Sequence, residues 1–286
     1  MYILNFQTMI EIPESQTVAR QVRETLAGRT VTGVFNATHP HKFTWYTGDP
    51  LEYPMLLTGR KIVGAEGCGA FVDVLLENDM HLALSDGVIL RLYGCEDPIP
   101  AKYQLLVTLD DGSFLVCTVA MYGGINAFPG ESDNPYYQGA RTKCSPLEER
   151  FDAGYFSRLW AASKQNLSAK AFLATEQRIP GLGNGVLQDI LFRAGIHPKR
   201  KLATLGDANA GAAFQDAEKR AAGDDRPRRA RYREGPLRET GRICSTTFAQ
   251  HLRGAVSGLR RIDREGGLFG RCRLLLPRLP AVEIGD

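Results

Sequence analysis

The stretch from Leu167 to Arg200 reads LSAKAFLATEQRIPGLGNGVLQDILFRAGIHPKR, and its reading decides the fold. Two helical patterns flank Pro180-Gly181-Leu182-Gly183-Asn184. The first has apolar residues at Ala169, Phe172 and Leu173. The second has them at Val186, Leu187, Ile190, Leu191 and Ala194, the spacing of one buried stripe. Glycines in the intervening turn let its backbone approach another group closely. Asn184 stands where the second helix begins, so the turn is expected to offer free N–H groups, a natural phosphate seat. Lys170, Arg178, Lys199, Arg200 and Lys201 surround it in sequence. An ordinary helix hairpin with a basic solvent face fits the same features, and on these alone the two readings stand level.

The block resembles the helix–two-turn–helix module of the formamidopyrimidine-DNA glycosylase and endonuclease VIII family. Lys170, Leu173, Gly181-Leu182-Gly183-Asn184, Leu191-Phe192 and Ala194-Gly195-Ile196-His197-Pro198 carry the match. A match this long and in register is specific, unlike a lone glycine motif. The resemblance implies that Lys170 and Asn184 grip DNA phosphates beside a lesion, with Gly183 and Arg178 in the same interface.

Outward from this block, composition is that of a globular chain. Its 286 residues suffice for two domains with real cores. No apolar run approaches membrane-spanning length, and MYILNFQT at the start lacks the basic and apolar regions of a signal peptide. The six cysteines, Cys68, Cys95, Cys117, Cys144, Cys244 and Cys272, are scattered with no Cys-x-x-Cys pair, which predicts reduced thiols in a cytosolic protein. Residues 1–204 hold 19 basic against 21 acidic side chains; residues 205–286 hold 16 against 11, so the basic excess lies in the tail.

Pro13 and Glu14 open a helical pattern in which Val18, Val22 and Leu26 share one side, closed by Gly28. Strand-like runs follow at 30–36, 61–63, 70–76, 80–84, 88–93, 104–109 and 113–121, the last two joined at Asp110-Asp111-Gly112. Short strands with turn signals predict a β-sandwich, here with one leading helix. Asn134-Pro135-Tyr136-Tyr137 and Ser145-Pro146 read as a linker, after which the pattern turns helical from Phe156 to Ala162.

Glu11 sits between Ile10 and Ile12 just ahead of the first helix. Taken alone, it reads as an edge residue in water. Members of the resembled family begin Met-Pro-Glu-x-Pro-Glu. There the N-terminal proline amine attacks the sugar C1′ as nucleophile, and the adjacent Glu shuttles protons. Carried over, the catalytic positions are Glu11, Glu14 and, at the nucleophile position, Ile10, where the proline is absent. This alignment predicts a start at Met9, with MYILNFQT as upstream read-through. The family's hairpin lysine falls at Ala70, which cannot donate to phosphate. Its wedge loop falls at Met121-Tyr122-Gly123-Gly124; Tyr122 is the expected wedge and Met121 is expected in the core. Lys42, within Pro40-His41-Lys42-Phe43-Thr44-Trp45, belongs to a basic-aromatic cluster of the kind that touches DNA. His81, in an apolar strand, is expected to be structural.

Beyond about Gly206 the apolar periodicity vanishes, and 15 of the 16 basic residues are arginine. The resemblance implies a zinc finger here, Cys-x2-Cys-x16-Cys-x2-Cys, but Cys244 and Cys272 stand alone. Read one nucleotide later, the codons of 256–281 can encode CPVCGGSIVKEAYLGGAVYYCPGCQ, with that spacing restored. A one-base frameshift between about Leu205 and Phe214 is therefore expected. It leaves no cofactor in this chain and zinc only in intact relatives.

The expected architecture is α+β and multidomain. A catalytic β-sandwich with a leading helix spans 9–138, an all-α helix–two-turn–helix DNA-binding domain spans 146–212, and an out-of-frame tail spans 213–286. The resemblance implies a base-excision glycosylase that flips out and excises an oxidised base, with AP-lyase cleavage as a further step; the alternative is a non-catalytic damaged-DNA-binding relative. The expected partner is double-stranded damaged DNA, bound by a monomer in the cytoplasm at the nucleoid, with no membrane.

Overall fold

The computed structural model describes residues 9–194 and 196–205. The upstream segment 1–8, the end of the expected helical domain at 206–212, and the tail 213–286 with its shifted-frame finger lie outside the described residues.

The leading helix α1 (Ile12–Leu26) begins one turn earlier than its apolar stripe, because Pro13 fits a first turn and Glu14 reaches back to it. The Glu14 carboxylate accepts from the Glu11 N–H at 3.2 Å. Val18, Val22 and Leu26 are buried on one face, as their spacing predicts. Gly28, at φ 90°, turns the chain out of the helix, and its N–H donates to Ile62 O at 2.8 Å.

Seven strands follow: β1 (Val31–Asn36), β2 (Thr44–Tyr46), β3 (Ile62–Cys68), β4 (Phe71–Leu76), β5 (Met80–Tyr93), β6 (Leu105–Leu109) and β7 (Phe114–Pro129). They form one hydrogen-bonded sheet in the order β1-β6-β7-β5-β4-β3, with β2 added in parallel to β7 and every other pairing antiparallel. The strands expected to be short are not all so: β5 and β7 are long enough to run through the whole sheet. They pair from Met80↔Pro129 to Tyr93↔Phe114. One apolar cluster draws Val31 and Leu109 from one end of the strand order and Ile62 and Val74 from the other. A single core fed from both ends requires the sheet to curve over on itself, with α1 contributing Val18, Val22 and Leu26 to the same cluster.

The runs 80–84 and 88–93 are one strand, not two. The register slips between Asp86 and Val88, and Asp86 takes φ 57°. A β-bulge inserts a residue and breaks the two-residue alternation, so in sequence Ser85-Asp86-Gly87 mimics a turn. The expected linker at 134–137 is also corrected. Asn134 accepts from the Tyr136 and Tyr137 N–H groups and caps α3 (Pro135–Thr142). Strand β2 and the short α2 (Tyr53–Leu57) have no signal in the sequence reading.

Helices α4 (Ala153–Ala161), α5 (Ala169–Ala174) and α6 (Asn184–Ala194) surround a second core. Asp152 and Ser168 cap the first two through the N–H groups of Tyr155 and Ala171. Phe156, Trp160 and Phe172 meet edge to face or tilted, with Leu173, Leu187 and Leu191 closing around them. Each such large side chain contributes about 1.5–3 kcal/mol by leaving water. Ile12, at the start of α1, is buried in this helical core rather than beneath the sheet. It joins the two halves. Among the described residues no helix is long and apolar enough to cross a membrane.

Candidate functional site

Three consecutive residues at the entry to α1 bind three different parts of the fold. The Ile10 N–H donates to Asp86 O at 2.6 Å, and the Ile12 N–H donates to Gly181 O at 3.1 Å. Between them, the Glu11 carboxylate accepts from the Gly185 N–H at 2.7 Å and the Val186 N–H at 2.8 Å. Glu11 is 7% exposed, so it is not an edge residue in water. Its negative charge lies at the N-terminus of α6, where unpaired N–H groups and the helix dipole favour an anion.

This corrects the expected phosphate seat. Two of the N–H groups at the start of α6 are occupied by the chain's own carboxylate. Asn184 stays exposed at the first position of α6, and Lys170 is exposed on α5.

The glycines of the turn are needed for contact rather than for flexibility. A Cβ at Gly183 would lie 2.5 Å from Glu11 Cδ. One at Gly181, which has φ 78°, would fall onto the backbone of Gly69. Gly69 and Ala70 form the tight turn between β3 and β4, and Gly69 O accepts from the Ser15 hydroxyl at 2.9 Å. The glycine turn is thus wedged between the start of α1 and a hairpin tip.

Arg178 does not point outward as a DNA contact would. Its guanidinium donates to Thr175 O at 3.0 Å and pairs with Glu176 at 2.5 Å. It closes the C-terminal carbonyls of α5, which a cation there neutralises. Ile10, at the nucleophile position, is buried, and its nitrogen is a peptide amide because Met9 precedes it.

Across the β5 bulge lies an aromatic surface. Tyr122 is exposed, and so is Met121, which corrects its expected place in the core. The β5–β7 register breaks opposite these residues, so neither side chain has a partner strand to bury it. A Cβ at Gly87 would meet Tyr122 O at 2.6 Å and Met9 Sδ at 3.4 Å, which places Tyr122 beside the N-terminal segment. Lys42 is exposed with its ammonium over the Phe43 ring.

Asp86, whose carbonyl receives Ile10, is a feature of this site that the sequence alone does not single out. Burial pushes its carboxyl above the ordinary range, against the Ser85 hydroxyl that donates to it at 3.2 Å. The only sequence signal was an acidic residue inside an apolar strand. His81 is structural in its contacts. Its Nδ1 lies 3.0 Å from Asp73 Oδ2, the same oxygen accepts from the Tyr137 hydroxyl at 2.5 Å, and the ring stacks on Phe128. Among the described residues no group of three or more His, Cys, Asp or Glu could hold a metal.

No family model matches the chain. Individual relatives do. A formamidopyrimidine-DNA glycosylase of Bacillus licheniformis is 29% identical over 198 residues, covering 67% of this chain and 69% of its own. One of Bacillus subtilis is 28% identical over 211 residues, covering 70% and 71%. In fold, the chain is similar to a Lactococcus lactis FPG variant in complex with Fapy-dG containing DNA. That similarity has a TM-score of 0.61 and 22% identity, over 76% of this chain and 81% of that one. Lactococcus lactis Fpg with abasic-site DNA gives a TM-score of 0.60 over 69% and 73%. The chain that carries this buried glutamate and wedged glycine turn is thus similar in sequence to formamidopyrimidine-DNA glycosylases and in fold to Fpg.

Proposed function

We propose that this protein is a DNA glycosylase of base-excision repair that binds damaged double-stranded DNA as a monomer and hydrolyses the N-glycosidic bond of an oxidised base. The observation that carries this reading is the Glu11 carboxylate held on the N-terminus of α6 at 2.7 and 2.8 Å. It fixes the N-terminal segment against the helical turn that the family uses on DNA. In this reading residues 9–138 form the catalytic domain, a sandwich built from one curved sheet. Residues 146–212 form the DNA-binding domain, and DNA lies in the cleft between them. Lys170 and Asn184 hold phosphates, while Lys42 and Tyr122 touch the strand from the sheet side. Gly183 permits the approach of Glu11. Arg178 serves by holding the end of α5 rather than by touching DNA. Glu14 supports the segment through the Glu11 N–H.

A Schiff-base lyase step needs a free amine at the sugar. In the chain as it stands, the nitrogens of Met9 and Ile10 are both peptide amides. That observation counts against the lyase step and leaves hydrolysis of the N-glycosidic bond as the reaction; the second reading is a relative that binds damage without excising the base. One assay decides: the protein is incubated with duplexes carrying an oxidised base or an abasic site, with and without borohydride. Base release supports the glycosylase. A trapped adduct supports the lyase as well. Binding without either leaves the non-catalytic relative, and absence of selective binding ends both readings.

A further inference from the structure

The aromatic surface beside the bulge has features that the phosphate contacts do not explain. Trp45 is 53% exposed and Tyr122 is 40% exposed, yet their rings meet edge to face at 5.8 Å. They come from different strands. β2 runs parallel to β7 and sets Trp45 opposite Gly124, while Tyr122 precedes the paired Gly123. The register is locked, because the Gly123 N–H donates to Phe43 O at 3.0 Å. Adjacent exposed apolar rings form the kind of patch that marks an interaction surface.

The chemistry around the pair selects the occupant. The Lys42 ammonium stands 5.4 Å from the centre of the Phe43 ring, two residues from Trp45. An aromatic face with an adjacent cation suits a nucleobase and its phosphate. The location points the same way, since Tyr122 O abuts Gly87 beside Met9 and the bulge.

We propose that Trp45 is a base-stacking residue: an unpaired nucleobase of the damaged duplex lies against its ring, with Tyr122 as the supporting edge and Lys42 on the neighbouring phosphate. This rests on the DNA-glycosylase reading and adds a positioning contact to it. A base without a partner leaves the stack at lower cost and then exposes its π-faces, whereas an intact duplex offers none to a ring outside the stack. The contact therefore favours damaged over intact DNA.

The chain has two tryptophans, and Trp160 is buried in the helical core. An emission change on DNA binding that Trp45→Phe abolishes thus reports position 45. The full chain is titrated with a duplex bearing a tetrahydrofuran abasic analogue, with the intact duplex, with the analogue opposite a second analogue, and with a duplex bearing an oxidised base. Emission is expected to be quenched by damaged duplexes only. Quenching lost when the opposite base is removed identifies the orphaned base as the occupant; quenching that needs a base at the lesion identifies the extruded one. Trp45→Ala is expected to weaken binding to the damaged duplex by about fivefold to a hundredfold, the range measured for base–aromatic stacking. Trp45→Phe, which keeps an aromatic face, is expected to retain most of that affinity, and intact-duplex binding is expected to stay unchanged in both variants. Equal loss on intact and damaged DNA, or no loss in Trp45→Ala, overturns the stacking contact while leaving the glycosylase reading in place. No preference for damage in the parent protein overturns both.

Discussion

Glu11 occupies the space that a side chain at position 183 would need: a Cβ on Gly183 would stand 2.5 Å from the Glu11 carboxyl carbon. The two residues are far apart in the chain and form one unit in space. Gly183→Ala is expected to displace the carboxylate from Gly185 and Val186, with a loss of about 1–3 kcal/mol typical of overpacking. Glu11→Ala should cost about 1–3 kcal/mol by leaving those N–H groups unpaired. Because both changes break the same contact, the double variant is expected to lose less than the sum. Thermal unfolding of the four proteins measures the coupling, and strict additivity would contradict it.

Lys170 and Arg178 are both basic residues of one helical region, but the fold gives them different work. Lys170→Ala is expected to weaken DNA binding regardless of sequence and to lower the slope of log affinity against log salt by about one. Arg178 donates to α5 carbonyls and pairs with Glu176. Arg178→Ala is therefore expected to lower the melting temperature while leaving the salt slope as it is. Affinity measured over a series of salt concentrations separates the two.

Asp86 supplies a pH-dependent term. Burial raises its folded pKa, so the folded state favours the protonated carboxyl. Relative to the unfolded chain, this group favours folding in acid and loses that contribution as pH rises through its folded pKa. Above that folded pKa the ionised carboxylate is held at a cost. Asp86→Asn keeps the shape and tolerates φ 57°. It is expected to raise the melting temperature at neutral pH, with the gain shrinking towards acid as the parent carboxyl becomes neutral. A gain that grows in acid would reverse the sign. If Asp86 also works on the substrate, the stabilised variant is expected to be less active, the pattern found where a local rule is broken for function.

Tyr137 anchors α3 to the sheet through Asp73, which is fully buried. Burial and the Asp73 charge both raise the Tyr137 phenol, so it remains a donor. Tyr137→Phe removes one partner from a buried carboxylate that keeps His81. The expected loss is about 1–3 kcal/mol in a denaturant melt, and a neutral result would mean that the phenol is not needed to satisfy Asp73.

Much of the fold was legible because periodicity reports burial. Val18, Val22 and Leu26 announced α1, and the stripe from Val186 to Ala194 announced α6. Glu11 was singled out through the resembled N-terminal motif, and Lys170 and Asn184 through the glycine turn and its flanking helices. Asp86 was not, because a bulge looks like a turn when only one strand of its pair is in view. Trp45 lies in a three-residue strand, too short for its alternation to register. Arg178 was misread because charge in a sequence does not reveal which carbonyls lie within reach.

By itself, then, the order of amino acids determined α1, α6 and most of the strands, together with a glycine turn that resembles one family's. Those features depend on neighbours a few residues away. Only the tertiary structure decided what the charges do. A carboxylate at position 11 acquires its meaning from N–H groups at 185 and 186, and a tryptophan at 45 from a tyrosine at 122. Hydrogen bonds and ring contacts act over a few ångströms of space, whatever the distance along the chain, and so no local pattern encodes them.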